Sequence, residues 1–167
     1  MVGFFKKNDE SQTEYRKAFG QFSSVLTQRV TTLKPIVIQL DSQEESAGGA
    51  HSIHFDGGNI LIRQSGTYLC IVAPQVGKTE GVSNRWIDFW MRVNNVDLAN
   101  SNIRRVLTNS QEKDVIPMNV VTDLNKDDIV QIMMSAETDN DGLGIEVIEP
   151  EGEPTIPSII VTIVQLD

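Results

Sequence analysis

Residues 86–98 read Trp-Ile-Asp-Phe-Trp-Met-Arg-Val-Asn-Asn-Val-Asp-Leu, and their pattern decides the fold class. Over residues 86–93 the side chains alternate, with Ile87, Phe89, Met91 and Val93 on one face and Trp86, Asp88, Trp90 and Arg92 on the other. A period of two is that of a half-buried strand, because successive Cβ atoms leave a pleated backbone on opposite sides. The first set is expected in the core. The second is amphipathic and suits a subunit or ligand contact through Trp86, Trp90 and Arg92. Asn94 and Asn95 tolerate the left-handed conformation that a two-residue hairpin turn needs, so the chain should reverse there into Val96-Asp97-Leu98.

Moving outward, short β-rich runs recur from Lys34 onward between Gly, Asn, Asp and Pro clusters, at 35–40, 52–55, 59–63, 67–73, 86–93, 103–108, 115–122, 129–136 and 158–166. That spacing is expected of an all-β sandwich. There is no repeated βα unit, which argues against a doubly wound nucleotide-binding sheet. Two runs are apolar on both faces. In 67–73, Leu69 and Ile71 oppose Tyr68, Cys70 and Val72; in 158–166, Ile159, Val161 and Ile163 oppose Ile160, Val164 and Leu166. In a two-layer sandwich one face meets the other sheet, so a second apolar face implies a further covering layer, either another subunit or the N-terminal segment.

That segment follows different rules. Residues 1–33 carry a net +2 and five of the ten aromatics, leaving −11 on residues 34–167. Ser11 with Glu14 makes a capping box, and Tyr15, Phe19, Phe22, Leu26 and Leu33 fall at helical spacing, so a helix is expected over 14–33. Gly20, Ser23-Ser24 and Thr31-Thr32 are poor helix formers, and the Phe19, Phe22, Leu26 stripe needs a surface to pack on. It would lie on its own domain, self-associate, or dock into a larger assembly. The expected organisation is therefore an N-terminal arm at 1–33 and a β domain at 34–167.

Ile62-Arg63-Gln64-Ser65-Gly66-Thr67-Tyr68-Leu69 resembles the apolar-x-x-x-Gly-x-Tyr signature of the jelly roll shared by the complement globular head and tumour necrosis factor. Met91-Arg92-Val93-Asn94-Asn95 is similar to the strand and turn where many members carry Asn-Gly. Residues 115–130, VIPMNVVTDLNKDDIV, resemble the family's apolar strand, Leu-x-x-Gly-Asp turn and next strand, with Leu124 and Asp128 in place. The chain departs from the family at Ile62, where an aromatic is usual, at Asp127, where the turn has Gly, and in the last strand, which lacks the complement head's Phe-x-Gly-Phe pattern. No collagen-like stalk precedes the domain. The resemblance covers roughly residues 34–167 and points to a distant microbial or viral member. It implies a two-sheet jelly roll of about ten strands forming a homotrimer, with the helix at 14–33 in place of the stalk.

With 167 residues, 40% hydrophobic and 22% charged, the chain can close one core without disulfides. A formal charge of −9 repels a nucleic-acid backbone, so no nucleic-acid partner is expected. No run reaches about 18 consecutive apolar residues, the length of a membrane span. Residues 1–10 lack the apolar core of a signal peptide, so synthesis in the cytoplasm is expected, which favours a virion component or an intracellularly assembled surface protein over a secreted ligand.

The chemistry-bearing motifs are weak. His51 and His54 sit at i and i+3, which leave opposite strand faces, unlike the His-x-His of a cupin metal site. Val76-Gly77-Lys78-Thr79 imitates the end of a phosphate loop, but Val72 stands where its first Gly is required. Cys70 lies in an apolar strand and is expected to be an inert thiol. No Gly-x-Ser-x-Gly elbow occurs, so no enzyme is expected. Residues 137–153 hold seven acids and no base, and Asp139 and Asp141 with nearby carbonyls are the candidate ligands for a calcium ion, although the spacing misses an EF-hand. The expected function is a non-enzymatic homotrimeric module for display or binding, attached to a stalk or particle such as a virion. Its rivals are a capsid or head-decoration protein locked together by residues 1–33, and a sugar-binding or sugar-cleaving jelly roll using Trp86 or Trp90 with paired acids from 137–153.

Overall fold

A computed structural model describes residues 17–43 and 53–167. These form β1 (Phe19–Ser24), β2 (Gln28–Arg29), β3 (Ile36–Val37), β4 (Ser42–Gln43), β5 (Ile53–Asp56), β6 (Asn59–Ile62), β7 (Gly66–Gly77), β8 (Arg85–Val93), β9 (Val96–Asp97) and β10 (Ile103–Leu107), followed by β11 (Lys113–Val115), β12 (Met118–Leu124), β13 (Ile129–Ala136), β14 (Gly144–Ile145) and β15 (Ile159–Gln165). The strands build two antiparallel sheets. In the first, β7 pairs along its early residues with β12 on one side and β15 on the other, and β15 continues to β1 and β4. The far end of β7 pairs instead with β11 and β14, and β14 carries β2. The second sheet runs β10-β8-β13-β6-β5, with β3 on β13 and β9 returning on β8.

The core lies between the sheets. From the first come Phe22, Tyr68, Cys70, Val72, Val161 and Ile163; from the second, Ile60, Ile62, Ile87, Phe89, Met91, Ile132 and Met134. Each large apolar side chain withdrawn in this way contributes about 1.5–3 kcal/mol. The expected inner face of residues 86–93 is the observed one, with Ile87, Phe89 and Met91 at zero exposure. Asn94 and Asn95 adopt φ of 50° and 66°, and Val93 pairs with Val96 across the hairpin. Asp127, standing where the resembled family has Gly, also takes a positive φ, 72°.

The helix expected over 14–33 is corrected for the residues described. Residues 19–24 are β1, in register with β15 from Phe19↔Val164 to Ser24↔Ile159. Burial follows a period of two: Gly20, Phe22 and Ser24 are buried while Phe19 and Gln21 are exposed. Phe22 enters the core at zero exposure, whereas Leu26 and Leu33, which should have shared its helical stripe, are 50% and 65% exposed. Gly20 and the Ser23-Ser24 pair disfavour a helix, and β15 offers a full row of backbone partners that a helix would leave unpaired. Ser11, Glu14 and Tyr15, the start of that expected helix, lie outside the described residues, as does His51.

Candidate functional site

The outward side of the first sheet is the feature that asks for a partner. Register places residues in rows across β1, β15, β7 and β12. One row is Phe19, Val164, Leu69 and Val121; the next is Gln21, Thr162, Ile71 and Asn119. Ile160 and Ala73 face each other one row further on. These side chains alternate with core residues of the same strands, so the sheet's pleat forces them outward. Phe19 is 39% exposed, Ile71 37% and Val121 61%; Leu69, Ile160 and Val164 are half-buried. The row joins four apolar side chains on four adjacent strands, a contiguous apolar stripe rather than scattered surface hydrophobics.

Polar groups border this face. The Thr67 backbone N–H donates to Asp167 Oδ1 at 2.7 Å, and the Thr67 hydroxyl lies 2.7 Å from Asp123 Oδ1 and 3.2 Å from Asp167 Oδ2. The bond from the Thr67 amide, foremost, holds the Asp167 carboxyl below the usual carboxylate range. Lys17 Nζ donates to the Leu166 carbonyl.

The outward side of the second sheet is already occupied by its own side chains. Arg104 lies 4.1 Å from the centroid of the Trp86 ring, and donates through Nε and Nη2 to the two oxygens of Asp88, both at 2.7 Å. Trp90 is only 8% exposed, and its Nε1–H donates to Asp97 Oδ1 at 2.7 Å; Arg92 Nε donates to the same oxygen at 2.7 Å. Hydrogen bonds from Arg92 and Trp90 hold the Asp97 carboxyl below its ordinary range. Arg104 covers one face of the Trp86 indole, and the Trp90 indole is buried and offers no open ring for a sugar to stack on.

The remaining expected site residues separate. Tyr68 faces the core, its hydroxyl donating to the Gln64 carbonyl at 2.7 Å, and Phe22 is wholly internal. Leu26 lies in the exposed connection between β1 and β2. Asp141, a candidate calcium ligand, is paired with Arg85 at 3.0 Å, and its carbonyl accepts the N–H groups of Thr79 and Glu80 at 3.2 Å each. Asp139 is exposed, and no group of three His, Cys, Asp or Glu side chains able to hold a metal occurs among the described residues. Burial pushes the Cys70 thiol up to about 12, so it stays protonated near neutrality. Of the residues in the apolar stripe, Val121 was not marked in the sequence; the adjacent valines at 120 and 121, one for each face, were the available signal.

No protein-family model matches this chain, and no curated protein matches it. Among solved structures, the crystal structure of murine APRIL at pH 5.0 is similar, with a TM-score of 0.54 at 11% identity, covering 90% of this chain and all of that one. That protein is a jelly roll of the tumour necrosis factor family. Two antiparallel sheets, a core closed between them and this likeness together show that the chain has the tumour necrosis factor-like jelly-roll fold.

Proposed function

We propose that this protein is a non-enzymatic, homotrimeric jelly-roll module for display or binding, tethered to a larger particle such as a virion by the residues ahead of Lys17. The observation that carries the reading is the outward stripe of Phe19, Val164, Leu69 and Val121 on a sheet whose other side is already packed. Identical copies cover such a face economically, since each supplies the same apolar surface the others lack. The capped Trp86 and buried Trp90 favour this reading over a sugar-binding jelly roll.

Light scattering on the full chain and on a Leu69→Glu/Val121→Glu variant tests it. Both side chains point away from the core, so the variant should keep its cooperative melt while its mass falls from three chains to one. A native protein that stays monomeric at high concentration, or a variant that keeps the native mass, would sink the trimer. Removing residues 1–16 should leave the trimer and abolish particle attachment; loss of the oligomer itself would favour a decoration protein whose arm joins subunits. The deletion must stop short of β1, because Phe22 belongs to the core.

A further inference from the structure

The two flanks of the outward face carry complementary side chains at matching heights. β12 is the last strand on one flank, pairing with β7. On the other flank β4 covers β1 only at Phe22 and Ser23, so nothing among the described strands lies beyond β1 near Phe19. Below the apolar row, the register continues through Leu166, whose N–H donates to the Thr67 carbonyl, to Thr67 opposite Asp123. Lys17 stands at the β1 end of that row, exposed and reaching the Leu166 carbonyl. Asp123 stands at the β12 end, exposed, with a hydrogen bond from Thr67 and no ion pair among the described residues.

When copies are arranged by rotation about an axis running along the strands, each residue keeps its height on that axis, because rotation carries no translation. Rows run across the strands, so a row is a height. The β1 flank of one copy then meets the β12 flank of the next, row against the same row. That sets Lys17 against Asp123, Phe19 against Val121 and Gln21 against Asn119: opposite charges, apolar with apolar, and amide with amide.

Resting on the trimer reading above, we propose that the occupant of each flank is the opposite flank of a second copy of this chain, and that Lys17 of one copy pairs with Asp123 of the next at the rim of that seam. The apolar row supplies the attraction between copies, and the Lys17–Asp123 pair adds opposite charges at its edge. A charge pair at the rim of an interface acts mainly on the association rate, and it is screened by salt.

The test is charge reversal in the full chain, read by sedimentation velocity over a range of protein concentrations. Lys17→Glu and Asp123→Lys should each weaken trimer formation about 10-fold or more at low salt, since each creates a like-charge contact. The double reversal Lys17→Glu/Asp123→Lys should restore assembly to within about 3-fold of the native chain, because the pair is remade with its signs exchanged. The single-variant defects should shrink at about 1 M salt, where the screening length falls to about 3 Å. Single variants that assemble like the native chain, or a double variant worse than either single, would overturn the contact while leaving the trimer standing. A native chain that sediments as a monomer throughout would overturn the trimer reading itself.

Discussion

Glu146→Gln removes a negative charge that three elements of the first sheet share. Glu146 follows β14, its side chain is 9% exposed, and its carboxylate accepts from Arg29 of β2 and Lys113 of β11. It lies directly over Gly77 of β7, where an added Cβ would come within 2.6–2.9 Å of the carboxylate atoms and would have to displace them. Gln keeps the shape but only one acceptor oxygen, so one of the two charge-assisted hydrogen bonds is weakened and the other is lost, because the amide NH2 then faces a cation. Charge-assisted bonds contribute about 1.5–3 kcal/mol each against about 1 for neutral ones. Arg29 and Lys113 are 22% and 35% exposed, so water recovers part of the loss. The net cost at neutral pH should be about 1–3 kcal/mol. Burial alone would push the Glu146 carboxyl up, but the hydrogen bonds and charges of Lys113 and Arg29 outweigh it and hold it below the usual range. A lowered folded value means the stabilisation is complete above the ordinary glutamate pKa, about 4.3, and is lost as pH falls through the folded value. Urea unfolding of native and variant proteins should therefore differ most at pH 6–7 and converge in acid. A gap below about 0.3 kcal/mol at pH 7, or one that persists undiminished near pH 3, would refute the reasoning.

Phe22→Ala and Phe19→Ala separate core from interface: Phe22→Ala should cost about 3–5 kcal/mol at every protein concentration. The cost of Phe19→Ala should instead grow with concentration, because copies bind only the folded state; urea midpoints in a dilution series read both, and equal costs would contradict the strand assignment. Asp127→Gly should raise stability by about 0.5–1 kcal/mol in a thermal melt, since glycine adopts φ of 72° without strain and the exposed Arg63–Asp127 pair, at 3.6 Å, contributes little.

Local pattern reached far in the β domain. Alternation in residues 86–93 told which side chains enter the core, and the two asparagines announced the hairpin, because both are properties of neighbouring residues. The two-faced runs at 67–73 and 158–166 also announced an outward apolar face, since Leu69 and Val164 could not share the interior with Tyr68 and Ile163. Local pattern failed at residues 19–24. Phe19 and Phe22 fit a helical stripe as well as any, and what decides against it is β15, more than 130 residues away, whose edge pairs with β1 along its whole length.

The candidate site divides along the same line. Which residues are apolar, and that one face of two strands would remain uncovered, is determined by the sequence alone through the two-residue period. That Phe19 and Val121 join this face, that Trp86 is capped by Arg104, and that Asp141 is taken by Arg85 are decided only when strands meet. The physical reason is that register is a long-range property: backbone hydrogen bonds are alike at every residue, and only the assembled sheet fixes which side chains become neighbours.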